Sequence, residues 1–504
     1  MSLKKNVAAN YLGQGCKAVM GVAFVPLYIK YLGVEAYGLI GIFAILQSML
    51  ALLDMGMKPT LSREMARFSA GAYDSQSIRN LLRSVEIIVL AVAIAIALGV
   101  WCASHWLATD WVKSSLPVHE IQRSFTIMGV VAAFRFVESI YVSCLVGLQL
   151  QVIESLVGSS IAVARGLGAV GVLAWVSPTL EGFFAWQGLI SFLTVPLLAI
   201  ITYRFLPAAP RPGRFTSLAF RGTWRFAAGV SAITLLALLL TQIDKVLLSR
   251  LLPLKVFAYY TLAGALTGAL YMLSAPICAA YFPKFTQLAT TCESSALARA
   301  YHQAAQLATV VMGVAAVILI VFSDNVLFLW TENANLTQQV YPLLQVLTLG
   351  TLFNGLMGVP YQMQLAHGWT SLTIYINIVA VALFVPALFF VVPRFGAIGA
   401  AWIWVSLNAA YLVFDIFFMH RRLLIAEKWR WYSEDILLPL IAAGCVAIIC
   451  RMCMPKEVSR LMDVCWLLGF SGIVTIAAAL AAPYARSQLK EMVAGGISQV
   501  RQRF

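Results

Sequence analysis

The chain has 504 residues, 61% of them hydrophobic and 11% charged, against roughly 45–50% and 25% in soluble domains. That excludes a water-soluble globule and places the chain in a bilayer. The net charge of +14 invites a nucleic-acid partner, and the placement of the basic residues argues against one.

A helix needs about 20 apolar residues to span a membrane. Fourteen stretches qualify: 7–29, 37–57, 84–106, 124–148, 153–176, 183–203, 226–249, 257–282, 305–330, 339–363, 370–392, 396–419, 436–454 and 462–483. With the N-terminus inside and the spans alternating, 22 Lys and Arg fall on the inner side, 9 on the outer side and 4 within spans. This positive-inside bias predicts cytoplasmic N- and C-termini, and it makes most of the +14 a matter of topology. The nine Cys show no metal-ligand spacing, and most lie in apolar spans as packing residues. Cys450 and Cys453, three apart on a helix, are poorly placed to pair. There is no Walker A loop, no HExxH and no nucleophile elbow, and the outer connection Leu107–Arg123 is too short to hold a catalytic domain. No enzyme activity, cofactor or metal is expected.

In chain order, the first span carries Asn10, Gln14, Lys17 and Gly21 on one helical face. Its polarity is too high for the core of a cleavable signal. A Lys at mid-membrane costs about 2.5–3.5 kcal/mol, so Lys17 requires a carboxylate partner, a water-filled cavity or an anionic ligand. The second span follows Lys30, a short break and Val34-Glu35-Ala36-Tyr37, and ends near Asp54 and Lys58-Pro59. Val256-Phe257-Ala258-Tyr259 repeats the pattern 222 residues on, after Arg250 and before Pro283-Lys284. The same features in the same order predict a duplicated unit and two homologous lobes, with the function in the cleft between them. The basic amphipathic segment after Pro59 reads as a cytoplasmic helix on anionic headgroups.

Arg135 and Glu138 in the fourth span are at i,i+3 and can neutralise each other. Arg165 in the fifth is deep, has no acid within one turn, and shares a face with Glu154. The Pro-rich basic stretch after Arg204 is the strongest linker signal in the chain. In the seventh span Thr241, Gln242 and Lys245 share a polar face, with Asp244 turned about 100° away. The last two spans, almost without polar residues, look peripheral. These features predict an all-α integral membrane protein: an N-lobe over 1–206, a linker over 207–225, a C-lobe over 226–422, two further helices over 423–485 and a basic tail over 486–504. The intramembrane cations Lys17, Arg135, Arg165 and Lys245 outnumber the acids of comparable depth, Asp54, Glu138 and Asp244, which favours an anionic, phosphate-bearing substrate.

Six motifs carry a family resemblance: Asn6, Asn10 and Tyr11 near the start; YLGVEAYG (Tyr31–Gly38); LLDMGMKPTLSREMA (Leu52–Ala66); QIDKVLLSRLLPLKVFAYYTLA (Gln242–Ala263); FPKFTQLA (Phe282–Ala289); and FGAIGAAW (Phe395–Trp402). In this order they resemble the Wzx-type polysaccharide-export flippases of the multidrug/oligosaccharidyl-lipid/polysaccharide exporter superfamily. The resemblance covers roughly residues 5–420. It implies two six-helix lobes in a V with two peripheral C-terminal helices, alternating access, and a bacterial inner-membrane location. The implied substrate is an undecaprenyl-diphosphate-linked oligosaccharide such as an O-antigen repeat unit. On this reading Lys17, Arg135, Arg165 and Lys245 hold the diphosphate, and Asn10, Gln14, Thr241 and Gln242 touch sugar. Asp54, Glu138 and Asp244 are candidates for coupling protons or Na⁺, or simply balance neighbouring cations. Membrane lipids and a downstream polymerase are the other expected partners. A lipid II flippase, a multidrug cation antiporter and a membrane glycosyltransferase or polymerase are the rival readings. The cationic surplus weighs against the antiporter, and the short outer loops weigh against the enzyme.

Overall fold

A computed structural model describes residues 13–17, 19–54, 57–69, 74–216, 224–291, 293–455 and 459–487. Asn10, part of the linker and most of the basic tail lie outside the described residues. Inside a bilayer no water satisfies backbone N–H and C=O groups, so an apolar chain of this kind must be helical. Among the described residues helices account for the regular structure, apart from one isolated bridge between Lys113 and Pro253.

The chain divides into two compact units, Met1–Ala258 and Tyr259–Phe504. The first contains α1 (Gly13–Leu32), α2 (Val34–Leu53), α3 (Met57–Ser69), α4 (Ser75–Trp111), α5 (Val118–Gly147), α6 (Gln151–Trp175), α7 (Leu180–Phe205) and α8 (Trp224–Leu251). The boundary falls in the opening turns of α9 (Leu254–Thr290), beyond the linker over 207–225, because α8 packs against α2 and α3. The second unit holds the rest of α9, then α10 (Ser294–Val321), α11 (Ser323–Thr331), α12 (Ala334–Ala366), α13 (Ser371–Arg422), α14 (Lys428–Cys453) and α15 (Arg460–Ala481). The tetrapeptide echo falls in the first turns of α2 and α9, and each of those helices follows a short break.

Among the described residues, eleven helices are long and apolar enough to cross a membrane. α2 adds a shorter apolar run, Val34–Leu50. α8 has 28 residues and keeps its length despite Asp244 and Lys245. α13, at 52 residues, is far longer than one crossing needs. Gly396 interrupts it with φ 61° and ψ −149°, backbone that only glycine adopts readily, so α13 holds two spans. Each of the fourteen predicted stretches thus meets a helix. On α4, Leu90, Ile94, Leu98 and Trp101 form one outward row, each more than half exposed. Such a row on a water-facing surface would be an association site; on a helix of membrane-spanning length it suits acyl chains.

The linker is strapped to α4. Gln76, Asn80 and Ser84, spaced by one turn, accept from the backbone N–H groups of Arg211, Arg214 and Thr216 at 3.1, 2.9 and 2.9 Å. Arg79 between them donates to the carbonyls of Pro207 and Leu206. Three amide groups that no helix satisfies thus find partners on one polar helix face. Asn80→Leu removes the central rung, at about 1 kcal/mol, and trypsin is expected to cut after Arg211 and Arg214 faster than in the parent; an unchanged cleavage rate would mean the other rungs suffice.

At the opposite end of α4, the loop to α5 meets the α8–α9 turn. Leu254 N–H donates to the Lys113 carbonyl (2.8 Å), the Lys113 ammonium to the Leu251 carbonyl (3.1 Å) and Trp111 Nε1 to Ser249 Oγ (3.1 Å). Glu35, opening α2, receives Ser114 Oγ, Ser115 N–H and Ser115 Oγ at 2.6–2.8 Å.

In the second unit α14 and α15 dock along α10. Val310, Val314 and Ile318 meet Ala443, Ala447, Phe470, Val474 and Ala478 in one buried cluster. One end of that seam is polar: His302 Nδ1 lies 2.5 Å from Asp435, its Nε2 lies 3.0 Å from Glu427, and Gln306 donates to Asp435 at 2.8 Å. The final helices carry a buried charge that their nearly apolar sequence hides, because Asp435 stands just ahead of the predicted span 436–454.

Candidate functional site

Helices α1, α2, α5, α6 and α7 line an open cavity of about 500 Å³ within the first unit. The sequence places ionisable groups on three of these helices, and packing turns them toward one space. Lys17 enters from α1, Arg135 and Glu138 from α5, and Glu154 and Arg165 from α6; Gln47 of α2 and Gln187 of α7 complete the polar lining. Tyr28, Phe43 and Phe183 form apolar wall.

The charges pair between helices. The Lys17 ammonium lies 2.6 Å from Glu154. It reaches that partner across Gly158, where a Cβ would come within 2.6 Å of the nitrogen; a glycine one turn beyond Glu154 leaves room for the lysine. Arg165 donates to both oxygens of Glu138 at 2.7 and 2.8 Å and to Ser191 Oγ at 2.9 Å. The i,i+3 pairing of Arg135 with Glu138 therefore gives way to one across helices, since Arg165, on the facing helix, takes both carboxylate oxygens.

Arg135 is held differently. Its two terminal nitrogens donate to the amide oxygens of Gln47 and, at 2.8 Å, Gln187. Its guanidinium lies 5.1 Å from the Phe43 ring centroid, a cation–π geometry. Among the described residues no carboxylate lies within ion-pair distance of it. Three cations face two carboxylates in this lining, so one positive charge is in excess, and it sits on Arg135. The Nε–H groups of Arg135 and Arg165 are buried with no acceptor among the described residues. Low-dielectric walls strengthen such a surplus, and a planar fork of N–H donors fits the oxygens of a phosphate or carboxylate.

The structure thus brings together three of the four predicted cations. Lys245 folds back on α8, donating to the Thr241 carbonyl (3.0 Å) and Gln242 Oε1 (3.4 Å), and is not among the cavity's lining residues, nor are Thr241, Gln242, Asp244 or the exposed Gln14. Asp54 is buried and accepts from the Lys58 N–H at 3.1 and 3.3 Å, closing the start of α3. Sequence reasoning missed Gln47 and Gln187. The signal was present: each is the one long polar side chain in an otherwise apolar central stretch of its helix. Glu154 was noticed as a facial neighbour of Arg165, but it serves Lys17.

The polysaccharide biosynthesis protein family model matches residues 3–289, more than half of the chain. The chain belongs to the polysaccharide biosynthesis protein family. A second family model, MatE, matches residues 230–390 of this family member. A Shigella flexneri protein described as "Putative O-antigen transporter" is 21% identical over 409 residues, covering 80% of this chain and 94% of its own. Among solved structures, the lipid II flippase MurJ in an inward closed conformation superposes with a TM-score of 0.69 at 11% identity, covering 96% of this chain and 99% of its own. The MATE multidrug transporter DinF-BH gives 0.59 at 13%, covering 83% and 95%. The chain therefore has the multidrug/oligosaccharidyl-lipid/polysaccharide exporter fold, and it is a multi-pass transporter or flippase of that superfamily.

Proposed function

We propose that this protein flips an undecaprenyl-diphosphate-linked oligosaccharide, such as an O-antigen repeat unit, from the cytoplasmic to the periplasmic leaflet of the bacterial inner membrane, with both termini in the cytoplasm. The observation that carries the reading is Arg135, a buried cation gripped by two neutral amides in a cavity with one positive charge to spare. A diphosphate would compete with Gln47 and Gln187 for Arg135, and with Glu138 and Glu154 for Arg165 and Lys17. Charge-assisted hydrogen bonds of this type contribute about 1.5–3 kcal/mol each. Lys245 serves as a further cation. Asn10, Gln14, Thr241 and Gln242 supply groups suited to sugar hydroxyls. The two repeats rock to expose the site to each side in turn.

Binding alone sets no direction. A proton on Glu138 would release Arg165 to the substrate, which makes that carboxylate one seat for a coupling proton; Asp54 and Asp244 are the other seats for a proton or Na⁺. Removal of product by a downstream polymerase is a second source of direction. Lipid II is the rival substrate, and it presents the same diphosphate.

Arg135→Gln tests the reading. Surface polysaccharide is expected to fall at least about tenfold at equal protein level, and inorganic diphosphate is expected to lose its protection of the detergent-solubilised protein against heating. Arg135→Lys should keep part of both. Normal export together with unchanged diphosphate protection would overturn the anion site.

A further inference from the structure

A second hollow of about 380 Å³ lies on the neighbouring face of α6 and α7. Its lining is Leu156, Val157, Ser160, Ile161 and Ala164 from α6 and Ile190, Leu193, Thr194 and Leu197 from α7. No charged side chain enters it. The only polar side chains are Ser160 and Thr194, and the Thr194 hydroxyl is already spent on the Ile190 carbonyl at 2.7 Å. Leu156, Leu193 and Leu197 are about half exposed or more, so the groove opens to the outside of the first unit, where acyl chains lie.

The groove adjoins the charged cavity and shares part of its wall. Ile161 and Thr194 line both. On α6 the two linings interleave: Gly158, Ala162 and Arg165 face the cavity, while Val157, Ser160 and Ala164 face the groove. A cationic cavity beside a purely apolar groove that opens sideways matches a molecule built the same way. From Leu156 to Ala164 the groove follows α6 for about 12 Å, enough for the first carbons of a hydrocarbon chain.

We propose that the α6–α7 groove seats the start of the polyprenyl chain of the same lipid whose diphosphate enters the cavity. The inference rests on the anion-site reading and adds where the chain leaves. Lipid tails are as apolar as the leucines that line the groove, so the groove adds little affinity through the hydrophobic effect. Its contribution is shape: small Ser160 and Ala164 leave a channel that keeps the chain in the membrane while the head group is held by arginine.

The test uses the full chain in nanodiscs of phosphatidylcholine. Undecaprenyl diphosphate and inorganic diphosphate are the two probes, and thermal protection is the readout. Ser160→Trp and, separately, Leu193→Trp fill the groove from opposite helices. Each should weaken undecaprenyl diphosphate at least about tenfold and leave inorganic diphosphate unchanged. In parallel, p-benzoylphenylalanine in place of Leu156 or Leu197 should crosslink to undecaprenyl diphosphate, and in place of exposed Leu189, outside the groove, only to phosphatidylcholine. That arm holds even if a tryptophan variant misfolds. Crosslinks to phosphatidylcholine alone from Leu156 and Leu197 would show bulk lipid in the groove and overturn the inference, as would tryptophan variants that bind both probes normally. If the parent protein binds neither probe, the anion site itself fails, a result the groove variants cannot mimic.

Discussion

Gln187→Glu is expected to stop transport while leaving the protein at least as stable as its parent. The substitution is nearly isosteric, and Gln187 Oε1 already accepts from Arg135 at 2.8 Å, so the hydrogen bond is kept. Only a charge is added. The lining then holds three cations and three carboxylates, and the surplus that would attract a diphosphate is gone. Arg135 itself gains the ion-pair partner it lacks, and a paired buried cation is better tolerated than an unpaired one. Loss of the positive surplus should weaken inorganic diphosphate by about one to two orders of magnitude, the size of a charge-assisted contact of about 1.5–3 kcal/mol. The one contact given up is the long bond from Gln187 Nε2 to the Arg165 carbonyl at 3.4 Å, which bears little weight. Gln47→Glu on α2 should reproduce the phenotype from the other side of the guanidinium. The combination discriminates sharply. If Arg135 is only a packing cation, a carboxylate beside it improves stability and leaves export normal. If Arg135 receives the substrate, stability and function move in opposite directions. The measurements are surface polysaccharide at matched expression, diphosphate protection, and the unfolding temperature of the purified protein.

Much of this site was legible in the sequence because the membrane makes charge conspicuous. Lys17, Arg135 and Arg165 announce themselves in spans with little else that is polar, and α-helical periodicity gives the face on which each stands. What periodicity does not give is which helix lies opposite. Glu138 is one turn from Arg135 and pairs instead with Arg165; Glu154 shares a face with Arg165 and pairs instead with Lys17. Both exchanges are set by helix packing, down to the missing side chain at Gly158 that lets Lys17 across. The glutamines were harder, since an amide in a span is unremarkable until a guanidinium is found between two of them. A helix at each of the fourteen predicted stretches was legible from hydropathy alone, although the extent of the first unit was not. The Pro-rich linker looks like a boundary, yet side chains of Gln76, Asn80 and Ser84 fix it to α4, and α8 packs with the helices before it.

Asp435→Leu is expected to loosen α14 and α15 from α10 and to lower the stability of the second unit by about 3–5 kcal/mol, the usual cost of removing one partner from a buried charged pair. Asp435 and His302 are both fully buried. Removing the carboxylate leaves His302 Nδ1 and the Gln306 amide without the acceptor they share. The surrounding cluster of Tyr301, Met419 and Trp431 is largely apolar. His302→Leu alone should be costly for the reciprocal reason, because it leaves the buried Asp435 carboxylate with the neutral Gln306 amide and no histidine. The double variant His302→Leu/Asp435→Leu should recover a large part of the loss, since replacing both members of a buried pair with apolar groups is often near neutral. Non-additivity of that kind is the signature of a direct interaction. Unfolding temperatures in one detergent, compared across the four proteins, check it. Additive losses would show that the apolar ridge of Val310, Val314 and Ile318 against Ala443, Ala447 and Val474 holds the last two helices unaided. Because the charged cavity lies wholly in the other unit, these variants should leave inorganic diphosphate binding intact at temperatures where the protein stays folded, which separates an anchoring role for His302 and Asp435 from a role in substrate recognition.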